Sequence, residues 1–240
     1  MNKTLVILFF ILCCINPILG QQRDILWDYP IKPGMEEWRS LRTARAMRDT
    51  CQIPVAVLER LSSDQLAEIC LKYPLRGDYV FFDNEREGIK IVINRFNGLI
   101  ELSKRKDGAM ALVKIYQNYP VLNFLSEKGS VNYPFVYEIM LIELLLAEDI
   151  FINQLSNKEL LNLQTIVKNK YSEKAKSNSV YGLNNTKKTM LLAAIILDKT
   201  SSQLSDNDKN TVTQFIAGYR NAKADLVTET SKIISNYENN

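Results

Sequence analysis

Residues 134–151 are apolar on nearly every side of a helix, and residues 186–197 repeat the pattern. A helix that is hydrophobic all round has to be covered by other protein or by lipid. Phe135, Val136, Ile139, Met140, Ile142, Leu144 and Leu145 leave few polar positions in the first stretch. Glu138 and Glu143 interrupt it, and charges at mid-bilayer are costly, so both stretches are expected in a protein core. Each is followed by Gln-Leu-Ser, at Gln154-Leu155-Ser156 and at Gln203-Leu204-Ser205. Each junction opens a more polar segment. Ser156 with Glu159 forms a capping box for a helix over 157–175, whose stripe is Leu160, Leu163, Val167 and Tyr171. Leu155 is placed to pack on Leu160. Ser205 with Asp208 opens a long last helix carrying Val212, Phe215, Ile216, Tyr219, Leu226 and Ile233 near a 3.6-residue period. Residues 174–182 read as a polar loop. The echo predicts two helical hairpins stacked in a bundle, with amphipathic helices screening the apolar ones.

The N-terminal half predicts shorter, less regular helices. Residues 21–34, with Trp27, Tyr29, Pro30, Pro33 and Gly34, read as an extended lead-in. Thr43 caps a helix to about Cys51, Pro54 starts a second ending near Leu61, and Ser62 with Gln65 opens a third that Pro74 stops. Leu75 to Asp83 contains the strand-like Tyr79-Val80-Phe81-Phe82, but no partner strand is evident, so it reads as loop. Helices follow from Glu85 to Phe96, from Leu99 to Lys104, and after a cap at Asp107. The fold class is therefore all-α: an irregular helical region over 21–120 followed by a helical-hairpin bundle over 121–240.

Residues 1–20 have the layout of a secretory signal peptide. Asn2 and Lys3 precede an apolar run from Leu5 to Ile15, then the Asn16-Pro17 break and Gly20. The run is about eleven residues, short of the roughly twenty a spanning helix needs. Lipidation at Cys13 or Cys14 is the weaker alternative, because Leu12 and Cys13 stand where a small residue is needed. The expected product begins near Gln21. It is exported to periplasm, outer surface or medium, and is not an integral membrane protein once cleaved. Of the four cysteines, Cys51 and Cys70 survive that cut. An oxidising compartment favours a Cys51–Cys70 disulfide, worth roughly 3 kcal/mol for the loop it closes. Two separate buried thiols are the alternative.

The chain contains no histidine. That removes Ser-His-Asp and Cys-His catalysis and the His-based zinc and iron sites. Two cysteines alone do not make a structural zinc site. A net charge of +3 is close to balance and argues against nucleic acid as a partner. No catalytic, cofactor or metal residues are assigned. Among candidates, Glu138 and Glu143 would serve acid–base chemistry if a raised pKa and a shared face brought them together. Five residues of helix separate them by about 140°, so a solvated edge or a lysine partner is the simpler expectation. Asp83, Glu85, Glu87 and Gly88 imitate the start of a calcium loop, but Asn94 stands where such a loop needs an acid; a capped helix start is simpler. Lys104-Arg105-Lys106 and Lys187-Lys188 are the basic runs, suited to an anionic glycan, a lipid headgroup or nucleic acid or, more simply, to solvated corners. Trp27, Tyr29, Tyr79, Phe81 and Phe82 form either a binding platform or a cover over the core, with Trp27 anchoring the lead-in as a strap.

Cys51-Gln52-Ile53-Pro54, Cys70-Leu71-Lys72-Tyr73-Pro74-Leu75 and Arg95-Phe96-Asn97-Gly98-Leu99, with Glu101-Leu102, Arg105 and Asp107, form a distinctive combination. Over about residues 30–118 it resembles a segment of uncharacterised exported helical proteins of gut-type Gram-negative bacteria. The resemblance implies a shared exported helical module and supplies no site residues. The expected function is a non-enzymatic interaction or structural protein of the envelope or extracellular space, with a protein or glycan partner. The alternatives are a carboxylate-dependent glycan hydrolase, using Glu138 or Glu143 with Asp78 or Asp83, and an exported inhibitor or immunity-like protein with a flat patch.

Overall fold

The computed structural model describes residues 27–201 and 204–236. The expected signal peptide, with Cys13 and Cys14, lies outside them, as does Gln203 of the second junction. The described residues are all-α, with a single isolated bridge between Leu125 and Val131.

The first helices are α1 (Glu36–Ser40), α2 (Ala44–Thr50), α3 (Val55–Leu58) and α4 (Ser63–Leu71). Their boundaries follow local chemistry. Thr43 Oγ1 accepts the Ala46 N–H at 3.1 Å. Ser62 and Gln65 exchange both bonds of a capping box, at 3.0 and 3.2 Å. The strand-like stretch is a 3-10 segment, Arg76–Phe81, that buries Tyr79 against the core. Helices α5 (Glu85–Arg95), α6 (Asn97–Lys104) and α7 (Gly108–Asn118) follow. Asp107 precedes α7 but does not cap it with its side chain. It accepts the Ser63 hydroxyl instead, at 2.6 Å, tying α7 to the start of α4. Gly108 has no alternative, since a Cβ there would lie 2.0 Å from the Leu102 carbonyl oxygen.

The C-terminal half comprises α8 (Tyr133–Leu146), α9 (Asp149–Ile152), α10 (Asn157–Lys176), α11 (Asn178–Thr200), α12 (Asp206–Gly218), a 3-10 turn at Tyr219–Asn221 and α13 (Ala224–Asn236). The Ser156–Glu159 capping box is present, and Ser205 caps α12. Three features depart from expectation. The first apolar helix stops at Leu146, because Glu148 turns extended and places its carboxylate 2.9 Å from Arg86 Nε. The loop over 174–182 is largely helix, and the reversal is concentrated at Ser177 and at Gly182, where φ is +62°, a conformation glycine adopts without steric penalty. The long last helix is broken after Gly218. Lys187 Nζ donates to the Arg220 and Ala222 carbonyls at 3.2 and 2.9 Å, taking up acceptors near the break.

Nor is the packing two equivalent hairpins. Helix α10 doubles back along α11, with Lys174 bonded to Thr189. It is α11 that also meets α8, α12 and α13. One continuous cluster of buried apolar side chains runs from Tyr29 to Ile234. The extended lead-in straps onto it, although its anchor is Tyr29 rather than Trp27. Tyr29 is buried and donates its hydroxyl to the Ile69 carbonyl at 2.9 Å, while Trp27 packs edge-on against it. Beneath lies a Tyr73–Phe96 stack with ring centroids 4.1 Å apart.

The expected Cys51–Cys70 disulfide is not formed. Both residues are free thiols, fully buried in this cluster. Burial pushes the Cys51 thiol up to about 11 and Cys70 well above its ordinary range. Both stay protonated and behave as small apolar side chains, because the thiolate needed for exchange is disfavoured there.

Candidate functional site

The sequence candidates separate into structural and surface roles. Glu143 and Lys174 are both fully buried and form an ion pair at 2.7 Å between α8 and α10. Lys174 Nζ also lies 2.8 Å from the second carboxylate oxygen and 3.0 Å from Thr189 Oγ1. Glu143 Oε1 accepts from the Tyr116 and Thr189 hydroxyls at 2.9 and 2.8 Å. Four helices, α7, α8, α10 and α11, therefore meet at one polar knot. Burial pulls the Lys174 ammonium down, opposed by Glu143 and reinforced by Lys188 and Lys170. Burial holds the Tyr116 hydroxyl well above its ordinary range, with Glu143 adding to it. The lysine partner expected for this acid is thus found, in the core rather than on a solvated edge.

Glu138 is elsewhere, half-buried on α8, where burial raises its carboxyl and Arg76 and Lys72 pull it back down. Asp78 is raised by burial and sits in the field of Arg48 and Arg95, while Asp83 is exposed. The acids proposed for hydrolysis do not converge. In the calcium-like stretch, Asn84 caps α5, Glu85 accepts the Tyr219 hydroxyl at 2.9 Å and pairs with Lys188 at 3.2 Å, and Glu87 pairs with Lys90. Lys187 and Lys188 are both buried, so that basic run serves the core. Arg105 donates to the Leu58 and Leu61 carbonyls at 2.8 and 2.6 Å and closes the C-terminal end of α3. Only its neighbours Lys104 and Lys106 are exposed.

A concave site remains. A groove of about 730 Å³ lies between the lead-in, the turn that follows α4 and the start of α8. One wall carries Lys32, Lys72 and Arg76. The other is the face of α8 formed by Pro134, Tyr137 and Leu141, whose spacing of three and seven residues aligns them along the helix. Pro33, Pro74, Gly77, Tyr79 and Val80 complete the lining, and no carboxylate belongs to it. Lys32 is paired with Asp28. Arg76 uses one nitrogen on the Tyr73 carbonyl, at 3.1 Å. Lys72 is exposed and has neither an ion pair nor a hydrogen bond among the described residues, though its field reaches Asp28 and Glu138.

Exposed apolar side chains line it or adjoin its lining residues. Val80 and Tyr137 line it, Phe81 is next in chain and 84 % exposed, Tyr133 lies 6.4 Å from the Tyr137 ring, and Met35 touches the backbone of Lys32. Tyr79 and Phe81, read together as platform or cover, are divided by the fold: Tyr79 covers the core, whereas Phe81 faces solvent. Sequence reasoning missed Lys72, Arg76 and Tyr137. The available signal was slight: Pro134 and Tyr137 are exposed at the start of α8, whereas Leu141, one turn further on, is buried with Val136, Ile139 and Ile142. No family model, curated protein or solved structure matches the chain.

Proposed function

We propose that this chain is an exported, non-enzymatic binding protein of the cell envelope or extracellular space, and that the groove between the lead-in and α8 receives its ligand. The observation that carries the reading is a coincidence of shape and surface. Among the described residues, two of the ten exposed large apolar side chains, Val80 and Tyr137, line this groove, and three more adjoin its lining: Phe81 follows Val80 in the chain, the Tyr133 ring lies near that of Tyr137, and Met35 contacts the Lys32 backbone. Contiguous exposed apolar surface marks a binding site, and a mostly apolar cleft with a few placed charges is the usual form of a small-ligand site. The titratable lining residues are Lys32, Lys72, Arg76, Tyr79 and Tyr137, which recognise and orient a ligand. The rival hydrolase reading requires two acids around one space, and Glu138, Glu143, Asp78 and Asp83 lie in separate surroundings.

The test uses a neutral, environment-sensitive dye such as Nile red, titrated into the full chain. Saturable binding that is lost in Val80→Asp and Tyr137→Asp, both at exposed positions, with helical circular dichroism unchanged, supports the reading. Dye that does not bind, or binds equally to both variants, refutes it. Turnover of a glycan by the pure protein would refute the non-enzymatic part. Export is checked by mass spectrometry of secreted and periplasmic protein, which should start near Gln21; a chain retaining residues 1–20 in the cytosol contradicts it.

A further inference from the structure

We infer that the groove takes a single-chain anionic amphiphile, a long-chain fatty acid, with its carboxylate at Lys72 and Arg76 and its acyl chain along α8; this rests on the groove being the binding site. The two walls differ in kind. The cations all come from the lead-in and the turn after α4, beside Pro33, Pro74, Tyr79 and Val80, whereas α8 contributes only Pro134, Tyr137 and Leu141. A ligand filling both needs an acidic end and an apolar body.

The cations have capacity for that end. Arg76 engages the Tyr73 carbonyl through a single nitrogen, and a guanidinium has five donors in a fork that matches a carboxylate. Lys72 is a second, exposed positive charge in the same lining. Both already act on the partly buried Glu138 carboxyl, which stands outside the lining. Lys32 contributes less, since Asp28 neutralises it.

An acidic peptide is the main competitor, and backbone chemistry disfavours it. An extended peptide must pair its own amides on burial. The flanking segment pairs its N–H groups internally: Arg76 donates to Tyr73, Asp78 to Leu75, and Phe82 to Tyr79. No sheet edge borders the groove among the described residues. An acyl chain has no polar groups to satisfy along its length. The volume of about 730 Å³ falls in the range of small-molecule sites, and Pro33, Pro74, Val80, Pro134, Tyr137 and Leu141 in the lining give a chain an apolar surface to lie against.

Calorimetric titration of the full chain, below micellar concentrations, tests this with octanoate, decanoate, dodecanoate and dodecanol. Affinity for the acids should rise about fourfold per added methylene, and dodecanoate should bind at least about tenfold tighter than dodecanol through the charge-assisted bonds at Lys72 and Arg76. Lys72→Glu, at an exposed position, should weaken dodecanoate about tenfold more than dodecanol and so erase that preference. Equal binding of acid and alcohol, or a preference that survives Lys72→Glu, overturns the inference while the neutral-dye result still stands for the groove. Displacement of dodecanoate by a soluble acidic peptide at lower concentration overturns it in favour of a peptide. If neither dodecanoate nor the dye binds, this inference and the groove reading fail together.

Discussion

Replacing Lys174 by methionine leaves the Glu143 carboxyl in the core with only the Tyr116 and Thr189 hydroxyls as donors. A buried carboxylate without a counter-ion relieves itself by taking a proton, which limits the penalty. A glutamic acid titrates ordinarily near 4.3, so keeping it neutral at pH 7 costs about 3.7 kcal/mol at about 1.36 kcal/mol per pH unit. The opposite variant, Glu143→Gln, strands the Lys174 ammonium in the fields of Lys188 and Lys170. A lysine titrates ordinarily near 10.4, so losing its proton at pH 7 costs about 4.6 kcal/mol. Both values fall within the roughly 3–5 kcal/mol seen when one partner of a buried pair is removed. The double variant Lys174→Met with Glu143→Leu removes both charges, and its cost should be far below the sum of the singles. The pH dependence has a definite sign. In Lys174→Met the folded carboxyl titrates above its unfolded value, so the native state binds more protons; stability is greatest below about 4.3 and is lost as pH rises toward 7. Urea unfolding followed by circular dichroism at pH 5 and pH 7 measures all of this. A cost under about 1 kcal/mol for Lys174→Met at pH 7, or a variant that loses stability on moving from pH 7 to 5, would refute a charged pair buried at this junction.

Gln164 is 1 % exposed, and both polar atoms of its side chain lack hydrogen-bond partners. Gln164→Leu should therefore stabilise the fold by roughly 1–3 kcal/mol in urea unfolding, and a destabilised variant would mean that the amide has a partner. Tyr29, Tyr73, Tyr79, Tyr116, Tyr119, Tyr181 and Tyr219 all have hydroxyls raised by burial, Tyr181 to about 12. Their folded values exceed the unfolded value, so stability is full below pH 10 and falls above it by about 1.4 kcal/mol per pH unit for each group that ionises only on unfolding. Phenolate absorbance of these seven should appear together with loss of helicity; ionisation within a still-helical chain would contradict their burial. Cys51 and Cys70 should resist alkylation in the native state and both label in denaturant without reductant, as mass spectrometry would show. Labelling of neither would restore the disulfide.

Local punctuation was the most legible part of this chain. Thr43, Ser62, Ser156 and Ser205 each accept a backbone N–H at the start of a helix, because capping involves atoms three residues apart and needs no tertiary context. The all-α class was legible for the same reason: apolar periodicity belongs to each helix separately. Asp107 shows the limit. It has the right residue type before α7, yet a distant hydroxyl, Ser63, takes its side chain. The breaks at Glu148 and Gly218 belong with it, since each depends on a partner far along the chain, Arg86 in one case and Lys187 in the other.

The candidate groove was almost invisible from sequence. Its residues come from positions 32–33, 72–80 and 134–141, and no local pattern links a lead-in lysine to a tyrosine a hundred residues later. Charge was misleading as well. Lys187-Lys188 looks like a surface run and is buried, while the isolated Lys72 faces solvent beside the groove. From the sequence alone came where helices begin, which faces are apolar, and the lack of any histidine, since these depend on residue type and short spacing. Only the tertiary structure decided which acids are neutralised, that the two cysteines are buried free thiols, and which cations border an open groove. Burial and charge pairing are properties of what surrounds a side chain, and that neighbourhood exists only once distant segments have packed.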